Sequence, residues 1–355
     1  MAYEANLIGS AATAELIGLF KQELTMCNLE PGELCVIVTD TAYNPGIADA
    51  FLGAALDMGA EAYKTVLPYS LPLPSRSLLP AWKEIDLLVY PTTHALHQRP
   101  EMREALDNGM RALMAVQPLE VLRRLVADPD VIRRTKAGAR LVEEARTVRI
   151  TSDAGTDVVM DKTGRAGVAS YGAADEPGHL DFWGSGMVET AQLEGSLEGQ
   201  LVLNTGDIVF HLGRYIERPV IITFREGRAV GFEGGVDAFL IESHLESFDD
   251  PKALMAGHTS WGADPRALWT AQAIQFPQPG AGGGDSEAHY GQVEIEIGSN
   301  NDVCFGGENA TSAHLGLCML NCSLFLDDRL IIDHGEFVPE ELRKSPKPTA
   351  PSIVT

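Results

Sequence analysis

The sequence predicts an α/β plus mainly β protein: an N-terminal open α/β, Rossmann-like domain over residues 1–145 and a β-rich domain over residues 146–355. Three observations carry that prediction. Up to about residue 145, continuous apolar runs of strand length alternate with segments of helical period, the pattern of a parallel sheet flanked by helices. Beyond it, short strand-like segments separated by turn residues dominate. The chemistry also shifts to the second part, where seven of the nine histidines lie beyond residue 170.

Taken in order, Ala11 to Asn28 offers Leu16, Ile17, Leu19, Phe20 and Leu24 as an apolar helical stripe, closed by Pro31-Gly32. LCVIVT (34–39) is apolar on both faces and suits the middle of a parallel sheet. The polar loop DTAYNPG leads into a second helix, Ile47 to Met58, ended by Gly59. Tyr63 to Leu67 and Ile85 to Tyr90 read as strands, and helices are expected over Arg103 to Met114, Leu119 to Val126 and Val131 to Ala145. The first strand-to-helix loop has neither GxGxxG nor GxxxxGK[ST], so no nucleotide site is predicted. Loops at the carboxyl ends of such strands still tend to line sites. His94 and His97, in PTTHALHQRP after IDLLVY, are therefore candidates, with surface histidines as the alternative.

In the second part, strands are expected over Val148 to Thr151, Asp157 to Met160, Leu201 to Leu203, Asp207 to Phe210 and Val220 to Phe224, the last turning through Arg225-Glu226-Gly227 into Ala229 to Phe232. Val293 to Ile297 alternates apolar residues with Glu294 and Glu296 and reads as a half-buried strand whose glutamates face away from the core. Leu324 to Ile332 reads as a hairpin through Asp327-Asp328-Arg329, and helices are expected at Asp237 to Ser247 and Pro265 to Gln275. PQPGAGGGDSEAH (277–289) is too Gly-rich for regular structure: disorder is expected, a mobile flap being the alternative. The Pro-rich tail SPKPTAPSIVT is expected to be loose unless it docks on another subunit, and a homo-oligomer is expected.

Composition excludes several classes of function. A net charge of -23 argues against nucleic acid and anionic membrane surfaces, leaving a small-molecule substrate. No apolar run reaches the roughly 18 residues of a membrane span. The opening MAYEANLIGSAATAELIGLF lacks a basic n-region and reads as the start of the fold. Five cysteines without CxxC spacing fit a reducing cytoplasm and no structural zinc of the finger type.

No GxSxG or HExxH is present. Three segments remain. In CFGGENATSAHLGLCM, His314 lies in an apolar run, where it must be hydrogen-bonded, charged at a cost or bound to something. If that segment is a strand, His314, Gly316 and Cys318 share one face; a satisfied core histidine is the alternative. In MAGHTSWGADPRALWTAQ, His258 precedes a Trp-Gly turn and a helix with Asp264 as cap and Pro265 at its first position. In DEPGHLDFWGSG, acids, His179, Phe182 and Trp183 form a mixture suited to a pocket rim for a flat ligand, a well-packed turn being the alternative.

The runs GAADEPGHLDFWGSG, GHTSWGADPRALWTA and HLGLCMLNCSLFLDD resemble the 2,5-dihydroxypyridine 5,6-dioxygenase family, mononuclear-iron ring-opening enzymes within the wider aminopeptidase T fold family. The resemblance runs from about residue 30 to 340 and implies a β-rich, aminopeptidase T-like second domain. It places His258 and His314 on the two iron-binding histidine positions and His97 on a pocket histidine. The family's third ligand is the aspartate of H-x-D, where this chain has Gly316; an acid and a histidine of the family pattern fall on Ser170 and Phe182. Three substitutes for the aspartate are open. Glu294, in VEIEIGSN, resembles the metal-binding glutamate of ELGIGTN in aminopeptidase T-type enzymes. Cys318 is a thiolate candidate, though an inert buried cysteine is its ordinary role. In the third, the metal is lost or held by two histidines, and His97, His179 and His258 serve as acid–base or binding groups. The resemblance thus implies Fe(II), with Zn, Mn or Co as alternatives, or no metal because of Gly316. The candidate set is His97 and His179 as catalytic groups, His258, His314 and Glu294 as metal ligands, and Tyr171, Glu176 and Trp183 against substrate. The expected function is iron-dependent ring opening of a small aromatic or N-heterocyclic compound. The alternatives are a metallohydrolase with Glu294 or Glu296 as ligand or base, and a binding protein with a degenerate site.

Overall fold

The computed structural model describes residues 10–70, 79–277 and 281–345. Helix α1 (Ser10–Met26) buries Leu16, Phe20 and Leu24, one face at i, i+4 and i+8, and leads to β1 (Leu34–Asp40). β1 pairs in parallel with β2 (Glu61–Leu67) and β3 (Leu87–Tyr90), and β4 (Arg111–Met114) pairs with β3. Cys35, Val36, Ile37 and Val38 are all buried, as a strand covered on both faces requires. Helix α2 (Pro45–Asp57) starts where the Asn44 side chain accepts the Gly46 N–H and Pro45 opens the first turn.

The helix expected over Arg103 to Met114 is two elements. The helix Pro100–Asp107 stops at Asn108-Gly109, where Gly109 takes φ +97°, and β4 follows at once.

In the second part, β5 (Thr147–Ser152), β6 (Asp157–Asp161) and β7 (Val168–Ser170) are antiparallel strands. The chain then returns to the parallel sheet: β8 (Leu180–Phe182) pairs with β4, giving the order β2-β1-β3-β4-β8. The remaining strands are β9 (Met187–Ala191), β10 (Glu198–Leu203), β11 (Ile208–Val209), β12 (Arg214–Tyr215), β13 (Val220–Arg225), β14 (Arg228–Glu233), β15 (Ala256–Gly262), β16 (Val293–Gly298), β17 (His314–Met319), β18 (Cys322–Leu326), β19 (Arg329–Asp333) and β20 (Glu336–Phe337). They complete an eight-stranded sheet, β14-β13-β10-β6-β5-β18-β19-β20, and a seven-stranded sheet, β12-β11-β17-β16-β15-β9-β7. One apolar core joins them, with Val148, Ile150, Leu201 and Ile222 from the first sheet and Val293, Ile295, Leu315 and Leu317 from the second.

Several expectations are corrected here. GHTSWG is no lead-in turn but lies within β15, buried along its whole length. Helix between Pro265 and Gln275 is confined to Ala271–Ile274, because Asp264 accepts the Arg266 N–H and pairs with the Arg266 guanidinium, closing a turn. Only Ile208–Val209 of the Asp207 to Phe210 segment is strand; Phe210–Leu212 is a 3-10 turn ended by left-handed Gly213. Within the Gly-rich segment, Gly283–Ala288 is a short, largely buried helix, since the small glycines allow close packing: a Cβ on Gly283 would lie 3.0 Å from the Phe210 ring. Apart from Ser345, the Pro-rich tail lies outside the described residues. Among those described, no helix is long and apolar enough to cross a membrane.

Candidate active site

A cavity of about 480 Å³ lies between the carboxyl ends of the parallel strands and the outer face of the seven-stranded sheet. His97 and Gln98 follow β3, Met114 and Gln117 end or follow β4, and Phe182 and Trp183 end or follow β8. This is where ligands bind in open parallel sheets. The opposite wall comes from four adjacent strands, which bring in Glu189 of β9, His258 of β15, Glu296 of β16 and His314 of β17.

Alternation along β16 makes this wall. Val293, Ile295 and Ile297 point into the core between the sheets, so Glu294 and Glu296 point the other way. That face is not solvent: the two glutamates are 0% and 1% exposed. On β15, an irregularity between Ala256 and Thr259 puts one extra residue opposite β16, a bulge of the kind that re-aims a side chain beside a site. His258 sits inside it.

Glu296 Oε2 lies 2.8 Å from His314 Nε2 and 3.7 Å from His258 Nδ1. His314 Nδ1 meets the Ser299 hydroxyl at 3.2 Å, so its other nitrogen is left to face Glu296. His258 Nε2 is 4.0 Å from Glu189 Oε2, and the Ser170 hydroxyl donates to Glu189 Oε1. Phe305 tilts against the His258 ring at 4.6 Å, and Phe182 meets His97 edge-on at 5.8 Å. His97 Nε2 is 3.7 Å from Asp302 Oδ2. His211 accepts the Gly316 N–H on Nδ1 at 3.0 Å, which leaves the proton of its neutral ring on Nε2.

The charges sort by environment. Burial pushes the Glu296 carboxyl up, but His314 and His258 outweigh it and hold it below the usual range. Burial and the charge on Glu296 push Glu294 up, and burial pushes Glu189 up to about 8. Burial holds His97 and His258 below the ordinary imidazole value, so both are neutral at pH 7. Burial also disfavours charge on His314, yet Glu296 more than compensates and raises it.

A resident metal is testable against these residues. Three buried atoms around the cavity, His258 Nδ1, His97 Nδ1 and Glu296 Oε1, have no hydrogen-bond partner, and Glu296 Oε2 meets His314 Nε2 at 2.8 Å. Two imidazoles beside a carboxylate held ionised are the kind of donor set that a non-haem iron site uses. The residues fit the ion.

The other candidates divide between the cavity and its surroundings. Glu294 is buried beside Glu296 and Glu287, the three offering oxygens within 4.8 Å of one another, but Ser260 and Cys318 donate to its two oxygens at 2.8 and 3.4 Å. Cys318 shares the His314 face, as its strand position requires, and is spent on that bond. Trp183 lines the cavity and packs edge-on against Phe20 and Phe51. Tyr171, Glu176 and His179 are not among the lining residues. Tyr171 and His179 meet each other and Asp175, and Glu176 pairs with Lys136.

Comparison with known proteins identifies the family. The family model for 2,5-dihydroxypyridine 5,6-dioxygenase matches residues 15–339. The chain belongs to that family. A 2,5-dihydroxypyridine 5,6-dioxygenase of Pseudomonas putida KT2440 is 31% identical over 349 residues, spanning 94% of this chain and 99% of the relative. The solved structure of a 2,5-dihydroxypyridine dioxygenase from Pseudomonas putida KT2440 superposes with a TM-score of 0.87 at 30% identity, covering 93% of this chain and 99% of that one. AmpT from Thermus thermophilus gives a TM-score of 0.54 at 14% identity, covering 92% and 99%, a likeness of fold alone.

A Cβ on Gly316 would lie 2.3 Å from Glu294 Oε1 and 2.5 Å from the Phe210 ring, so the H-x-D position has no room for a side chain. Sequence reading passed over Glu189, His211, Asp302 and Phe305. The one available signal was the acid in MVETA, a charge inside an otherwise apolar strand.

Proposed function

We propose that this protein is a ring-cleaving dioxygenase that opens a small hydroxylated N-heterocycle, with Fe(II) held by His258, His314 and one of the buried carboxylates beside them. The observation that carries this reading is the convergence of imidazoles from β15 and β17 on a carboxylate-lined cavity whose other wall is aromatic. When bound, the iron supplies the oxygen chemistry that side chains lack.

The chain's own residues bind and orient. Phe182 and Phe305 offer flat apolar surface to a planar ring. His97, neutral and with Nδ1 buried and unpaired, is placed to hydrogen-bond a ring hydroxyl. Glu189 Oε1 accepts from Ser170, and with its pKa pushed up to about 8 by burial the carboxyl is protonated near neutral pH, so its other oxygen, next to His258, can donate a hydrogen bond to a ring oxygen. The hydrolytic alternative rests on the AmpT fold likeness alone.

The test is oxygen uptake. Protein prepared without metal and loaded anaerobically with Fe(II) is expected to consume one O₂ for each hydroxylated pyridine whose aromatic absorbance is lost, and the Zn(II)-loaded protein none. Ring loss that proceeds equally without oxygen would overturn the proposal.

A further inference from the structure

We infer that Glu296 is the carboxylate ligand of the metal site, carried on β16 instead of on β17. The inference rests on the iron reading above and assigns its third ligand. In the β16–β17 register, Glu296 pairs directly with Gly316, as Gly298 pairs with His314. Directly paired residues of an antiparallel ladder project to the same face with Cβ atoms about 5 Å apart. A glutamate at 296 therefore reaches over the bare Gly316 backbone into the space beside His314. Phe210 and Glu294 fill the place of any side chain at 316, so a carboxylate carried on β17 at that position is not accommodated.

The state of the oxygens decides among the carboxylates. Glu294 has a donor on each oxygen, from Ser260 and Cys318. Glu189 has one oxygen committed to Ser170 and the other 4.0 Å from His258. Glu296 has none: both oxygens are buried without an aligned hydrogen bond, although Oε2 stands 2.8 Å from His314 Nε2 and 3.7 Å from His258 Nδ1. Among the described residues, Glu296 is thus the carboxylate whose one oxygen lies within 4 Å of both imidazoles.

The experiment is anaerobic titration with Fe(II) and with Co(II), followed by calorimetry and by the visible absorption of bound Co(II), on wild type, E296Q and E294Q. Wild type should bind one ion per chain. E296Q, which keeps the shape and removes the charge, should weaken binding about 100-fold and change the Co(II) spectrum, and E294Q should stay within about threefold. Loss of binding in E294Q with retention in E296Q overturns the inference and leaves the iron reading standing. A wild-type chain that binds neither ion overturns both. Far-UV circular dichroism reports folding; should E296Q not fold, E296D keeps the charge with a shorter reach. Binding by E296D about tenfold weaker than wild type supports ligation, and unchanged binding overturns it.

Discussion

Two regions of this molecule set a histidine among buried carboxylates, and they treat their polar atoms in opposite ways. Around His179, each carboxylate has partners. Asp181, fully buried, accepts the N–H groups of Tyr171, Gly172 and Phe182 at 2.9, 3.1 and 2.6 Å and the Ser185 hydroxyl at 2.9 Å. Asp175 takes the Tyr171 hydroxyl and His179 Nδ1, with Lys136 behind. On the β15–β16–β17 wall, His258 Nδ1 and Glu296 Oε1 are buried without hydrogen-bond partners, and Glu296 Oε2 has the His314 imidazole at 2.8 Å. Leaving a buried polar group unpaired costs about 1–3 kcal/mol. A fold that satisfies four donors on one aspartate and leaves two atoms bare some strands away has kept the second place for something bound.

The sharpest way to break this contrast is to remove Asp181. D181A strands three backbone N–H groups and a hydroxyl in the interior, so stability should fall by about 3 kcal/mol or more, seen as a lowered midpoint in urea. Metal affinity of the folded fraction should stay near wild type. If D181A melts like wild type yet binds no Fe(II), the two regions have exchanged roles.

Much of this was legible in the sequence, for physical reasons that also mark where legibility ends. Period-two and period-3.6 patterns pointed to three of the five parallel strands, β1, β2 and β3, and to most of the antiparallel ones, because those strands bury defined faces, whereas β4 was absorbed into a helical pattern and β8 into a polar, aromatic loop. His314 stood out because an imidazole in an apolar strand must be accounted for, and Gly316 was visible as a bare position two residues on. The alternation in VEIEIG was also readable, but not what covers the glutamate face, since that covering comes from loops after β3, β4 and β8 far away in sequence. Asn108-Gly109 shows the opposite failure: one left-handed glycine splits what continued as a helical pattern. His179 and Glu176 were singled out by composition alone, and composition does not say whether a polar cluster faces a cavity or closes on itself.

A smaller effect sharpens the comparison from the wall side. Ser299 touches His314 only through Nδ1, at 3.2 Å, and leaves Nε2 facing Glu296. S299A removes that orientation without touching a ligand atom. Binding of Co(II) should weaken about tenfold, the usual cost of losing such a partner, with the thermal midpoint nearly unchanged. Unaltered affinity would show that packing against His211, 5.0 Å away, suffices to hold the ring.

The smallest effect is a pH slope at His179. Burial disfavours its charge, but Asp175 and Asp181 outweigh burial and the repulsion from Lys136, so its pKa lies above the ordinary value. The folded state then holds the proton more tightly than the unfolded chain, whose imidazole titrates near about 6.5. The stabilising contribution is complete below that value and is lost as pH rises through the higher folded pKa. Asp175, held down to about 2 by His179, the Tyr171 hydroxyl and Lys136 against its own burial, runs the other way: its contribution is present above the ordinary carboxylate range and lost only as pH falls toward 2. Burial also raises Asp181, so the His179 contribution is read from the difference between wild type and variant at each pH. Urea denaturation of wild type and H179Q should give a stability difference that is largest at pH 6 and shrinks steadily toward pH 9. A difference that grows with pH would mean the ring is neutral in its pocket, and that the closed cluster resembles the open wall more than its hydrogen bonds indicate.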